Sequence, residues 1–407
     1  MQTISVLKEV LQEISPSKEE LKLIEKDAKE ILKTLKKHNL KAEIGGSLAK
    51  GTLLKKKNQD VDIFVILEKE KINNFENLLK KTKLNPEMIH GSRDYAKITR
   101  ENLILELIPV MRFKKPELAE NVTDFSLIHV KYIKNIISKK PSLADEIRLA
   151  KAFCYAQNCY GAESYIGGFS GYSLEVLVCH YGSFINFLNK IQKENIVDPE
   201  KHFKDKNEIL RELNQSKLMS PVILIDPTYK YRNICAGLTK ETFDLFLQNA
   251  KEFLKSQSKD FFQKKEFNLE EFKKIANEEK LEIYKLEIQT GSQEGDVAGT
   301  KMKKFFKFII KELERKEQNV KYSEFVYTDG KEAAGYLAIQ KKELIEIIGP
   351  KIDMEKSIKE FKKVRKEIYT SKGYACAKEN VLIENIFTNN TLTSESMGIG
   401  FNFKKLN

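Results

Sequence analysis

The segment Glu43–Leu67, EIGGSLAKGTLLKKKNQDVDIFVIL, sets two adjacent glycines and a serine ahead of a lysine run, then places Asp60 and Asp62 inside a strongly apolar stretch. An unpaired buried charge costs several kcal/mol. Carboxylates beside Val61, Ile63, Phe64, Val65 and Ile66 therefore need a reason. KAEIGGS reads as a short strand that breaks at Gly45-Gly46, and DVDIFVILE reads as a second strand, rich in β-branched residues and too short for a helix. Residues two apart in a strand point to the same side, so Asp60 and Asp62 project from one face. Two carboxylates so placed can bridge two divalent cations roughly 3.5–4 Å apart, an arrangement suited to phosphoryl transfer. Mg²⁺ is the ion expected there, being hard and oxygen-seeking.

Outward from this segment, NLILELIPV (Asn102–Val110) reads as a third strand ended by Pro109. Glu106, an acid inside that apolar run, is the candidate third carboxylate. Gly46 and Ser47 lie where the first strand turns into a short helix, so backbone N–H groups and a hydroxyl can hold phosphates. Lys50 is near enough in sequence to add positive charge. Each feature alone has a plainer account: a DxD pair arises by chance in a chain of 407 residues, GGS is a common turn, and Glu106 can pair with an arginine on a neighbouring strand. Their conjunction is much rarer. The lysine run Lys55–Lys57 receives no role from the sequence, a solvated loop and an RNA contact being equally open.

Upstream, apolar positions repeat at helical spacing from Ser17 to about His38, with Ser17 and Glu20 set as a capping box. From about Asp124 the texture becomes helical: SLIHVKYIKNII, ADEIRLAKAFCYAQ, GYSLEVLVCHYGSFINFLNKIQ and TKETFDLFLQNAKEFLKS, with an apolar strand-like segment, PVILIDPTYKYRN, between the last two. After about Phe261, strands and helices mix, with TGSQEGDVAGT read as a loop before the helix GTKMKKFFKFIIKELERK. The expected fold class is α+β multidomain: a mixed-sheet head over residues 1–125, a helical neck over 126–258, and an α+β body and tail over 259–407.

Length predicts two to four domains, and 41% hydrophobic residues suffice for a sizeable core. A net charge of +12, from 71 basic and 59 acidic residues, favours a polyanionic partner only weakly. Cys154, Cys159, Cys179, Cys235 and Cys376 form no CxxC pair and no zinc spacing, which suggests reduced thiols in a cytoplasmic protein. The N-terminus is amphipathic and interrupted by acids, unlike a signal peptide, and no apolar run approaches a membrane span.

The strand, GGS turn, DxD strand and later acidic strand together resemble the DNA polymerase beta-like nucleotidyltransferase superfamily. Further along, TDFSLIHVKYI, EIRLAKAFCYAQNCYGAE, GGFSGYSLEVLVCHYGSF and LIDPTYKYRNICAGLT resemble, in order, segments of the archaeal-type (class I) CCA-adding tRNA nucleotidyltransferases. YSEFVYTDGKEAAGYLAIQ and IIGP add a weaker likeness in the tail. The resemblance implies that Asp60, Asp62 and Glu106 hold Mg²⁺, that Ser47 and Lys50 meet a triphosphate, that His129, Lys151 and Tyr160 bind the nucleotide, and that Arg232 helps recognise the base. It implies ATP and CTP as substrates and the acceptor and T arms of tRNA as partner. It also allows a homodimer, for which the sequence carries no marker. Taken without the resemblance, Lys151 reads as a solvated helix cation, His129 as a satisfied histidine and Tyr160 as packing beside Cys159. Three positions depart from the family pattern: Lys50 stands where arginine is usual, Glu106 where aspartate is usual, and Arg93 where histidine is common, so that Arg93 is expected to share the triphosphate contact. The same head also serves poly(A) polymerase-like adenylyltransferases, and an inactive RNA-binding relative is the reading from a different class.

Overall fold

Ser17 caps the helix Lys18–Lys37 through the expected box, its hydroxyl accepting from Glu20 N while the Glu20 carboxylate accepts from Ser17 N. The helix buries Ile24, Ala28, Ile31 and Leu35, which join the apolar face of a five-stranded sheet in one core. The strands are β1 (Lys41–Ile44), β2 (Gln59–Leu67), β3 (Glu87–Ile89), β4 (Tyr95–Arg100) and β5 (Leu103–Met111), in the spatial order β1-β2-β5-β4-β3. The β2–β5 pair is parallel and the others antiparallel, so the sheet is mixed. The computed structural model describes residues 2–90, 93–291, 293–327, 330–365 and 367–406, the side chains of residues 2–4 excepted.

Pro109 does not end β5. It pairs with Val65 of β2, and the strand continues to Met111. Proline is tolerated there because β4 pairs with β5 only as far as Leu107, so Pro109 needs no N–H for a ladder on that side. β3 and β4 carried no clear sequence signal, being short and polar.

After the sheet come the helices Ser126–Lys139, Leu143–Ala156, Gly171–Tyr181, Phe184–Lys190 and Lys240–Ser256. The stretch expected as one helix from Gly171 is two. Gly182 takes a left-handed conformation at φ 82°, and the Ser183 hydroxyl accepts from Asn186 N to start the second. Phe153, Phe169, Phe184, Phe187, Phe246 and Phe253 are fully buried together and form the centre of this helical core. PVILIDPTYKYRN is a hairpin of β7 (Ile223–Asp226) and β8 (Tyr229–Asn233), joined on one edge by the short β6 (Ile196–Val197).

The chain divides into two compact units, Met1–Lys265 and Glu266–Asn407. The second unit contains β9 (Glu282–Thr290), β10 (Asn319–Val326), β11 (Glu332–Gln340), β12 (Leu344–Lys351), β13 (Ile368–Ser371), β14 (Tyr374–Asn380) and β15 (Ile399–Leu406). They form a sheet ordered β10-β11-β9-β15 and another ordered β12-β14-β13. The helix Gly295–Arg315 packs in the same core as the larger sheet. It starts inside the segment expected as a loop, because its buried stripe of Met302, Phe305 and Ile309 extends back one turn to Ala298; Ser292 of that segment lies outside the described residues. The protein is thus an α+β multidomain chain. No helix among the described residues is long and apolar enough to cross a membrane.

Candidate active site

The parallel register sets Asp62 directly opposite Glu106 and Asp60 opposite Ile104. Val61, Ile63, Leu105 and Leu107 are fully buried on the other face, which leaves Asp60, Asp62 and Glu106 partly buried on a shared one. Burial raises the Asp62 carboxyl above its ordinary value in spite of the Lys50 charge. Burial, with the charges of Asp62 and Asp60, pushes Glu106 up to about 7. Lys56 Nζ reaches Asp60 at 3.0 Å, but both side chains are largely exposed. Among the described residues no three acidic, imidazole or thiol side chains converge as a ready-made metal cage. The donor set nevertheless fits a hard divalent cation, being all carboxylate.

Gly46 explains why the second glycine is needed. Its φ of +54° is left-handed, and a Cβ there would lie 1.6 Å from Asp62 Oδ2. Any side chain would be strained and would also displace the carboxylate. Gly45 N donates to Asp62 O at 2.8 Å, tying the turn to β2. Gly46, Ser47, Lys50, Asp60, Asp62, Lys151 and Tyr160 all line one cleft. Gly171 lines it too, and a Cβ on Gly171 would meet the Tyr160 hydroxyl at 2.8 Å.

Lys151 is not a solvated cation: only 3% of it is exposed. Its Nζ donates to Glu175 Oε1 at 2.7 Å and Thr52 Oγ1 at 3.0 Å, while Lys50 Nζ donates to Glu175 Oε2 at 2.6 Å. Thr52 Oγ1 donates to Glu175 Oε1 at 3.1 Å. Burial would raise Glu175, but the charges of Lys151 and Lys50 outweigh it and hold the carboxyl at about 2. Burial draws the Lys151 ammonium below its ordinary value in spite of the Glu175 charge. Lys50 and Thr52 come from the segment before β2, and Lys151 and Glu175 from two helices, so this cluster also fastens the sheet to the helices.

His129 and Arg232 meet on Asp226, which has no exposed surface. His129 Nε2 lies 2.9 Å and Arg232 Nη1 3.4 Å from Asp226 Oδ2. The imidazole stacks on Tyr172 with centroids 3.8 Å apart, and Tyr172 lines the cleft. Arg93 is placed differently. It forms a two-pronged pair with the buried Asp124 and donates to Pro109 O at 3.3 Å, while Asp124 also accepts from Met111 N at 2.8 Å. Arg93 thus fastens the end of β5 and, like Glu106, His129 and Arg232, is not among the residues lining the cleft. Of the lysine run, Lys55 bonds Glu20 at 2.9 Å and Lys56 bonds Asp60.

Sequence reasoning missed Glu175, Asp226, Asp124 and Tyr172. Glu175 in SLEVLV and Asp226 in VILIDP carry the same signal that singled out Glu106, a lone acid among apolar neighbours. Tyr172 lies in GFSGY, one of the segments that carry the family resemblance, but received no role of its own.

A sheet-face carboxylate set beside a Gly-Ser turn, with lysines in the same cleft, defines a nucleotidyltransferase. Residues 25–124 match the family model for a nucleotidyltransferase domain, and residues 145–263 that for the second domain of tRNA nucleotidyltransferases. A CCA-adding enzyme of Methanocaldococcus jannaschii is 30% identical over 331 residues, 77% of this chain and 72% of that one. The Nanoarchaeum equitans CCA-adding enzyme is 38% identical over 245 residues, 58% and 61% of the two chains, and that of Pyrococcus abyssi 32% over 279, 63% and 60%. The chain belongs to the family of archaeal-type CCA-adding tRNA nucleotidyltransferases. It spans about three fifths of the length of the Nanoarchaeum and Pyrococcus relatives. Among solved structures, a cytoplasmic RNA terminal U-transferase aligns with a TM-score of 0.50 at 16% identity, covering 65% of this chain and 99% of that one, a likeness of fold alone. Nucleotidyltransferase domains of this kind generally use divalent metal ions.

Proposed function

We propose that this protein adds C, C and A to the 3′ end of tRNA, taking CTP and ATP without a nucleic-acid template. The observation that carries the reading is the in-register pair Asp62–Glu106 beside Gly46, in a chain whose helical region matches the tRNA nucleotidyltransferase second domain. In this reading residues 1–125 are the catalytic head, 126–258 the neck that recognises the nucleotide, and 259–407 the body and tail that grip tRNA. Asp60, Asp62 and Glu106 would hold Mg²⁺, which when bound would ease loss of the 3′-hydroxyl proton and offset charge on the departing pyrophosphate.

The chain's own side chains supply the rest. The Gly46–Ser47 turn offers a backbone N–H and a hydroxyl to the triphosphate. Lys50 and Lys151, both hydrogen-bonded to Glu175, add attraction without base preference. Tyr160 closes one wall of the cleft. Arg232 presents the remaining donors of a planar guanidinium to the base. Arg93 acts from a distance, by fixing the strand that carries Glu106, rather than through the triphosphate contact expected of it. The acceptor and T arms of tRNA, with a phosphate at every nucleotide, suit the basic chain as a partner read by shape.

The test is incorporation of each NTP, alone and paired, into tRNA transcripts that end before the CCA. Extension needing CTP first and then ATP supports the reading. Incorporation of ATP without any CTP requirement would overturn it in favour of a terminal adenylyltransferase.

A further inference from the structure

Asp226 ends β7 and is fully buried, yet its two oxygens have different tasks. Oδ1 accepts from Thr228 N at 2.9 Å and Thr228 Oγ1 at 2.8 Å, which shape the turn into β8, and from the Tyr172 hydroxyl at 3.4 Å. Oδ2 accepts from His129 Nε2 at 2.9 Å and Arg232 Nη1 at 3.4 Å. The turn requires only Oδ1, and an asparagine carbonyl would serve it equally well. A second oxygen that accepts from an imidazole and a guanidinium at once requires a carboxylate. The turn therefore does not explain why aspartate stands here.

We infer that Asp226 is a positioning residue for nucleotide choice: one buried carboxylate fixes the His129 tautomer and the Arg232 guanidinium together, beside the cleft-lining Tyr172. The inference rests on the proposed reading of His129 and Arg232 as nucleotide-binding residues. A carboxylate only accepts, so the proton of the shared bond sits on His129 Nε2. Burial keeps the imidazole neutral more readily than usual, in spite of Asp226, and Nδ1 is then a lone-pair acceptor. The Arg232 guanidinium lies 5.3 Å from the Phe125 ring, a second restraint on its plane. An acceptor and N–H donors held on one carboxylate complement a base edge with an amino donor beside a ring-nitrogen acceptor. Cytosine and adenine share that edge, whereas uracil and guanine invert it.

Asp226→Asn tests this, because the amide keeps the Oδ1 bonds but turns an NH₂ toward two donors. Competing the four NTPs on tRNA lacking CCA should show selectivity against UTP and GTP falling by at least about tenfold, since a lost bond to a charged group is worth about that much. Turnover of CTP and ATP should fall by less. Imidazole ¹⁵N spectra should show the His129 proton on Nε2 in the native protein and on Nδ1 in the variant. Thr228→Ala, which removes only a turn bond, should leave selectivity unchanged.

The inference is overturned by a folded Asn variant as selective as the native protein, by equal loss of selectivity in Thr228→Ala, or by a native His129 protonated on Nδ1. The last result needs no variant to fold. A native protein that transfers nucleotides without discriminating among them would remove the reading of Arg232 itself, and the inference with it.

Discussion

Two sets of carboxylates lie a few side chains apart in the first unit, and burial acts on them with opposite outcomes. Glu106, facing Asp62 across two parallel strands, is pushed up to about 7 by burial and by the Asp62 and Asp60 charges, which outweigh the Lys97 and Lys56 cations. Glu175, gripped by Lys50 and Lys151, is held at about 2. Both are acids in apolar surroundings, and the difference is entirely in their partners. Saturated carboxylates such as Glu175, Asp226 and Asp124 hold the fold together. The sheet-face carboxylates are repelled by one another, a strained arrangement of the kind found where a protein must bind a cation or do chemistry.

The largest effect that would break this contrast is at Asp62. Asp62→Asn should lower addition of both C and A on the order of a thousandfold or more, because in the proposed reading one shared metal site would serve every step. Folding stability should not fall, and should rise slightly, since the variant removes a charge that Asp60 and Glu106 repel. Single-nucleotide extension assays and urea unfolding report the two outcomes separately. A variant that lost only one of the two additions, or unfolded more easily than the native protein, would contradict the assignment.

Glu175→Gln is the mirror experiment. It removes the carboxylate that two buried lysines share, which should cost about 3–5 kcal/mol of stability. The pH dependence has a definite sign. Glu175 is lowered from an ordinary 4.5 to about 2, so its contribution is complete above 4.5 and is lost as pH falls toward 2. The stability gap between native protein and variant should therefore narrow over that range. A gap independent of pH would mean that the carboxylate's charge does not hold the lysines.

The same contrast explains what could be read in advance. β2 was legible from its β-branched residues and short length, and the helix Lys18–Lys37 from apolar residues at helical spacing, with the capping box fixing where it began. Asp60, Asp62 and Glu106 were legible because they interrupt such runs. Arg93 was not: its partner Asp124 is 31 residues away, and only the folded chain shows that both of its terminal nitrogens bond that carboxylate. The clamp on Glu175 likewise depends on Lys50, 125 residues distant. The break at Gly182-Ser183 was visible in the residues, but the uninterrupted apolar pattern on either side concealed it.

Arg232→Ala should have a smaller effect than either substitution. Asp226 keeps its bonds from His129 and Thr228, so stability should fall by about 1 kcal/mol. Discrimination among the four NTPs should relax more than turnover declines. Equal losses in both would move Arg232 from base recognition into general binding.

The smallest effect is expected at Lys56, the cation that does reach the sheet carboxylates. Its bond to Asp60 is 3.0 Å long, comparable with those on Glu175, but the two side chains are 42% and 46% exposed. Solvent screens such a pair, and ordering a flexible lysine offsets most of the remaining attraction, so Lys56→Ala should change stability by no more than about 0.5 kcal/mol. What little it contributes should vanish in high salt. Urea unfolding at low and high ionic strength measures both. A cost approaching that of Glu175→Gln would mean that Lys56 already neutralises the sheet face, and Asp60 would then belong with the saturated carboxylates instead of the cation-binding ones. A negligible cost keeps the two sets apart.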